Sequence, residues 1–156
     1  MDLVLWRHAE AYDLTGQHDA LADLARELTP RGAKQATRMA TWLDRQLPES
    51  TKIFSSPAVR AEQTVRTLSR KFKTRPELSP SAGYTELLNV AQWPHSDVTV
   101  LLVGHQPSLG ALIAQLIGIE TEQCAVKKGA VWWLRTRERN GLVETVVVTV
   151  QTPEYL

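Results

Sequence analysis

Apolar positions along this chain follow two rhythms. Short unbroken runs occur at 2–6 ("DLVLW"), 51–56 ("TKIFSS") and 98–105 ("VTVLLVGH"). They predict strands, and the first and last read as fully buried ones. Between them the apolar residues recur at helical spacing. In "LTPRGAKQATRMATWLDRQL" a stripe runs through Ala33, Ala36, Ala40 and Leu43, joined by Trp42 and Leu47. Thr29 is placed to cap that helix, Pro30 suits its first position and Pro48 ends it. "SPAVRAEQTVRTLSRKF" predicts another helix, with Ser56 as cap and Pro57 next. "QPSLGALIAQLIG" predicts a third after the 98–105 strand. A short helix is expected around "HDALADLARE" in the polar stretch 9–28. Residues 73–97, rich in Pro, Ser and Thr, read as loop with one helical turn near "YTELLNVA". "AVWWLRT" and "LVETVVVTV" flank the turn signal "RERNG" and predict a hairpin. Alternating strands and helices imply an α/β domain, a three-layer α/β/α sandwich with a mixed, largely parallel central sheet. No internal repeat or linker interrupts residues 1–156, which are read as one domain. "VWW" at 131–133 is expected in the core.

Composition changes this picture little. The chain has 156 residues, and 18 basic against 17 acidic side chains leave a net charge of +1. That balance gives no general attraction to nucleic acid or a membrane surface, though a local basic site stays open. The single cysteine, Cys124, excludes an internal disulfide or a cysteine metal cluster and is expected as a plain thiol in or near the core. "LGALIAQLIGI" at 109–119 is too short to span a bilayer. "MDLVLWRH" is too short and too interrupted by charge for a signal peptide, so a cytoplasmic location is expected.

The chemistry lies at the strand ends. Ligands of open α/β sheets bind beyond the carboxyl ends of the strands. The first strand ends in Arg7-His8, the second in Ser55-Ser56 with Arg60 in the following helical turn, and the third in Gly104-His105. Each residue alone has an ordinary reading: a surface charge, a solvated helix arginine, a turn histidine. Together, two arginines and two histidines at one sheet edge describe a site for a tetrahedral dianion. Guanidinium forks match phosphate oxygens and a helix N-terminus adds N–H donors. A neutral histidine among them can attack phosphorus, and neighbouring cations favour that neutral form. Two histidines could also ligate a metal, but no third ligand stands at a comparable strand end. His18 and His95 lack such a context.

"RHAEA", "SSPAVRAEQT" and "GHQPSLG" resemble, in that order, the three signatures of the histidine phosphatase superfamily. Ala9 stands where the opening motif usually has glycine. With "ELTPRG", the chain most resembles the SixA-type protein-histidine phosphatases, over residues 3–120 or so. The resemblance implies a phosphoglycerate mutase-like fold. It implies His8 as the nucleophile that becomes phosphohistidine, and Arg7 and Arg60 as ligands of the phosphoryl oxygens. His105 would contact the phosphoryl group and stabilise the transition state, and Arg26 would be a further phosphate contact. No metal or organic cofactor is implied.

Larger members of the superfamily protonate the leaving oxygen with a carboxylic acid. Glu86 is the candidate general acid here, with Glu77 behind it, and helix-face charge is an equally good reading of Glu86. SixA-like proteins resemble their relatives except that this acid is dispensable, in keeping with the better leaving group of a P–N bond. Segment 73–97 has little room for a cap, so an open site is expected. The expected function is hydrolysis of phosphohistidine on a protein such as a histidine phosphotransfer domain; the sequence leaves the oligomeric state open, with a monomer favoured. Two alternatives stay open: a phosphomonoesterase using Glu86, and a phosphoprotein-binding module without turnover.

Overall fold

The computed structural model describes residues 1–16 and 19–156. Its central strand, β1 (Asp2–Arg7), is buried on both faces, and its side chains alternate between two cores. Val4 and Trp6 enter one apolar cluster and Leu3 and Leu5 the other, as the period of two in a strand requires. β4 (Val100–Gly104) lies parallel to β1 and divides its residues in the same way. β2 (Lys52–Ser55) continues the parallel sheet beyond β4, and β3 (Lys73–Thr74) forms that edge. On the other side β5 (Val131–Arg139) and β6 (Leu142–Gln151) add antiparallel strands. The order is β3-β2-β4-β1-β5-β6, a mixed sheet that is parallel through its centre.

Helices cover both faces. α2 (Pro30–Gln46) and α3 (Val59–Arg66) supply Met39, Leu43, Ala61 and Val65 to the first cluster. α4 (Tyr84–Ala91) and α5 (Ser108–Ile117) supply Leu87, Val90, Leu109 and Ile113 to the second. The Thr29 hydroxyl caps α2 by accepting from the Gly32 amide at 2.9 Å. α1 (Ala20–Leu24) is shorter than the expected helix, and His18 lies outside the described residues.

Several boundaries differ from expectation. The helix after β2 starts at Val59 with Ala58 as its cap residue, and the Ser56 hydroxyl accepts from the Ala58 amide just before it. It ends at Arg66, where the chain turns to form β3. Segment 73–97 contains β3, a 3-10 turn at Pro76–Leu78 and the two-turn α4. Its apolar residues Leu78, Leu87 and Val90 join the second core, so this segment belongs to the body of the domain. In the hairpin, Arg137–Arg139 continue β5, and Asn140 and Gly141 make the turn at φ 52° and 76°. These two residue types enter that left-handed region most easily. Val131 and Trp133 are buried as expected. Cys124 is half-buried against the second cluster, and burial pushes its thiol pKa up. No helix among the described residues is long and apolar enough to cross a membrane.

The segment after β1 is held against the start of α2. Glu10 accepts from the Thr29 amide at 3.0 Å through its carbonyl and from the Thr29 hydroxyl at 2.7 Å through its carboxylate. Gly32 permits this approach, since a Cβ there would collide with the Glu10 carbonyl oxygen. Gly32→Ala should therefore destabilise the protein by about 1–3 kcal/mol, the usual cost of overpacking a closed contact. A urea melt reads it, and an unchanged midpoint would show that α2 does not fix the 8–10 segment.

Candidate active site

Parallel pairing brings the strand ends level. Arg7 pairs with Gly104 across β1 and β4. The His8 amide extends the ladder by donating to the Gly104 carbonyl at 3.1 Å, and the Ser56 amide donates to the Val103 carbonyl at 3.0 Å. His8, His105 and Ser56 thus stand in one row. The rings of His8 and His105 lie with centroids 5.1 Å apart. Arg60, in the first turn of α3, is also buried, at 4% exposure.

Hydrogen bonds engage one ring nitrogen of each histidine and fix the tautomer of His8. His8 Nδ1 lies 2.7 Å from the Ala9 carbonyl oxygen. A carbonyl only accepts, so Nδ1 carries the proton and Nε2 keeps its lone pair. The Ala9 peptide is itself held, its amide donating to Thr64 Oγ1 at 3.1 Å, and that hydroxyl donating to the Arg60 carbonyl at 2.7 Å. His105 Nε2 lies 2.7 Å from Ser56 Oγ, which also accepts from the Ala58 amide at 3.1 Å. The Ser56 hydroxyl can donate to Nε2, and in that arrangement neutral His105 carries its proton on Nδ1. Burial, reinforced by His105 and partly opposed by the Ala9 bond, holds the His8 pKa well below the usual histidine range. Burial first and Arg60 second push His105 down to about 3.

The two arginines are anchored by their outer nitrogens. Arg7 Nη1 donates to the Val126 carbonyl at 2.7 Å. Arg60 Nη1 donates to the Asp23 carbonyl at 2.7 Å, and Nη2 meets the Asp23 carboxylate at 3.1 Å. Arg7 Nε, Arg60 Nε and His105 Nδ1 are buried without a partner among the described residues. A buried donor left unmade costs about 1–3 kcal/mol. Three such donors in residues of one cluster, two of them cationic, suit the oxygens of an anion.

Arg7, His8, Arg60 and His105 come together as the motifs suggested. Arg26 reaches the margin of the group, donating from Nη1 to the Asp23 carboxylate at 3.0 Å and from Nε to the Tyr12 carbonyl at 2.7 Å. Glu86 is exposed and its Oε2 accepts from the Gly83 amide at 3.0 Å, closing the first turn of α4. Glu77 pairs with Arg75 at 2.8 Å, and His95 is exposed. Sequence reasoning missed Asp23. Burial alone would raise the Asp23 pKa, but the hydrogen bond from Arg26 and the charge of Arg60 outweigh it and keep the carboxylate ionised. Its i,i+3 spacing to Arg26 was readable, whereas its link to Arg60, across 37 positions, needed the fold. Ser56 had been read as a helix cap rather than as the partner of His105.

Both histidines should be neutral at neutral pH, since burial lowers both pKa values from 6.5, that of His105 to about 3. The His105 ring chemical shifts followed by NMR should be flat from about pH 8 to about pH 5, and a midpoint near 6.5 in either ring would contradict the site described. The unfolded chain protonates these rings below its ordinary value while the folded chain does not. Stability should therefore fall as pH drops from 6.5 towards about 3.

Comparison with known proteins agrees with this geometry. The family model of the histidine phosphatase superfamily (branch 1) matches residues 3–83. The phosphohistidine phosphatase SixA of Escherichia coli (strain K12) is 32% identical over 129 residues, 78% of this chain and 77% of that protein. A SixA homolog from Haemophilus influenzae is 30% identical over 135 residues, covering 76% and 78% of the two chains. The structure of the protein histidine phosphatase SixA complexed with tungstate superposes with a TM-score of 0.75 at 26% identity, over 99% of each chain. With the strand-end arginines and histidines, these likenesses establish that the chain belongs to the histidine phosphatase superfamily and is a SixA-like phosphatase.

Proposed function

We propose that this protein hydrolyses phosphohistidine on a partner protein through a covalent phospho-His8 intermediate. The observation that carries the reading is the His8 Nδ1–H bond to the Ala9 carbonyl, which directs the lone pair to Nε2 within a cluster of cationic donors that have no partner among the described residues. In the first step His8 Nε2 forms a bond to phosphorus as the P–N bond of the substrate breaks. The substrate reacts in its ring-protonated form, with a proton on the nitrogen that does not carry phosphorus, so the leaving imidazole departs neutral. Arg7, Arg60 and the Nδ1–H of His105 hold the phosphoryl oxygens, and Arg26 adds charge at the margin. As negative charge enters, the His105 pKa rises from about 3, so this ring can take a second proton and neutralise the transition state further. In the second step water attacks the phosphorus of phospho-His8, the new P–N bond breaks and phosphate leaves with the proton of the water. Positioning and charge neutralisation do most of the work, with no metal required.

The missing acid supports a phosphoramidate over an ester. An alkoxide leaving group needs a proton, and general acids commonly contribute about 10² to 10⁴ in rate. The Glu86 carboxylate is occupied at the start of α4, and Asp23 is ionised between two arginines. A phosphohistidine protein, such as a phosphorylated histidine phosphotransfer domain, fits a site in which neither Glu86 nor Asp23, among the described residues, stands ready as an acid.

Phosphate release should be measured from such a domain and from an ordinary phosphomonoester. Wild type should turn over the phosphohistidine protein much faster. His8→Ala should lose at least about 10⁴-fold, the scale on which a nucleophile acts. Glu86→Gln should change turnover less than about twofold. A hundredfold loss in Glu86→Gln, the typical general-acid contribution, would move the substrate to esters. Tight binding of the phosphoprotein without turnover would make the chain a binding module. Chelation with EDTA should leave the rate unchanged, and inhibition reversed by one metal would overturn the metal-free steps.

A further inference from the structure

We propose that the cleft along the β3 edge of the sheet docks an acidic segment of the phosphoprotein substrate; this rests on the reading above that the substrate is a protein. The cleft has a volume of about 630 Å³ and is lined by Lys52, Phe54, Lys71, Phe72, Lys73 and Arg75, with no acidic side chain in its wall. It exists because β3 is so short. β3 pairs only with Phe54 and Ser55, so the outer edge of β2 at Lys52 and Ile53 is left uncovered. A smaller cleft of about 190 Å³ on the α4 side shares Lys52, Phe54 and Arg75.

The charge there is concentrated and largely unanswered. Lys52, Lys71 and Lys73 are exposed and form no ion pair among the described residues. Arg75 alone is neutralised, by Glu77 at 2.8 Å. The chain as a whole carries only +1, so this is a local feature rather than a basic protein. The floor is apolar. Arg75 lies over the Phe54 ring at 5.7 Å and Arg66 over the Phe72 ring at 5.8 Å. Each ring already has a guanidinium over it, which leaves less room for stacked bases and favours an acidic peptide segment with some apolar side chains over single-stranded nucleic acid.

Position ties the cleft to catalysis. The Arg75 amide donates to the Ser55 carbonyl at 2.9 Å, so the end of β3 joins the row of strand ends that carries Ser56, His105 and His8. Three strand spacings separate β3 from β1, about 14 Å. A folded domain of 100 residues has a radius of gyration of about 13 Å. A domain with its phosphohistidine at His8 therefore overlies Arg75, and the cleft runs from Arg75 down the sheet edge to Lys52 at the start of β2.

The test reverses two exposed charges, Lys52→Glu with Lys73→Glu. The control variant, Lys34→Glu with Arg45→Glu, makes the same charge change on α2. On a phosphorylated, net-acidic histidine phosphotransfer domain at low salt, the cleft variant should lose about tenfold in kcat/KM, mainly through KM, and the gap should shrink at high salt. Hydrolysis of the small phosphoramidate ion should be unchanged. A cleft variant that matches the control, or one that loses equally on phosphoramidate, overturns the proposal. Wild type that hydrolyses phosphoramidate but not the phosphoprotein would sink the protein-substrate reading instead. Fluorescence anisotropy of a labelled glutamate-rich peptide then reads the cleft alone. Binding to wild type that is lost in the cleft variant supports acidic docking. No binding, or tighter binding of a single-stranded oligonucleotide of equal charge, overturns it.

Discussion

The parallel pairing of β1 with β4 is the constraint on which the site depends. Its register sets Arg7 opposite Gly104, and both chains then leave the sheet at the same level. A slip of one residue would turn every side chain of β1 to the other face. Leu3 and Leu5 would exchange places with Val4 and Trp6 between two closed cores. The apolar alternation that stabilises the fold therefore also fixes where His8 and His105 stand. β2 extends the arrangement by one strand and brings in Ser56, and the turn after it starts α3 with Arg60 facing the same edge.

Within that frame the site is held in tension between burial and charge. Burial depresses the pKa of both arginines, and of both histidines more consequentially, leaving the imidazoles neutral. A neutral His8 is what nucleophilic attack needs. A His105 that is neutral when the site is empty is free to gain a proton when a dianion arrives. Asp23 fits the same scheme. It anchors the Arg60 fork through its backbone and its carboxylate, leaving the Nε–H as the donor without a partner. Each anchor is a backbone carbonyl or a side chain that is itself held, so the donors do not reorganise at the moment of reaction.

The longer strands, the helices α2, α3 and α5 and the four motif residues were legible because each rests on a local signal: an apolar run, a helical stripe, or a motif at or just after a strand terminus. What was not legible depended on tertiary competition for a single group. Ser56 reads as a helix cap in sequence, but in the fold its hydroxyl meets His105 as well as the Ala58 amide, and α3 starts at Val59. Glu86 reads equally as a catalytic acid or as plain helix-face charge, and folding instead sets it on the Gly83 amide. β3 is two residues long, too short for any periodicity to reveal. Asp23 carries no motif of its own that pairs it with Arg60.

The central claim is that the phosphoryl group passes through His8 Nε2. The direct measurement is to mix enzyme with a phosphohistidine protein, quench in alkali within the first turnover, and map the acid-labile phosphoryl label by mass spectrometry. The account predicts label on the peptide containing His8, appearing before free phosphate and decaying as phosphate accumulates. Label on His105, or full phosphate release with no labelled enzyme at any time, would contradict it.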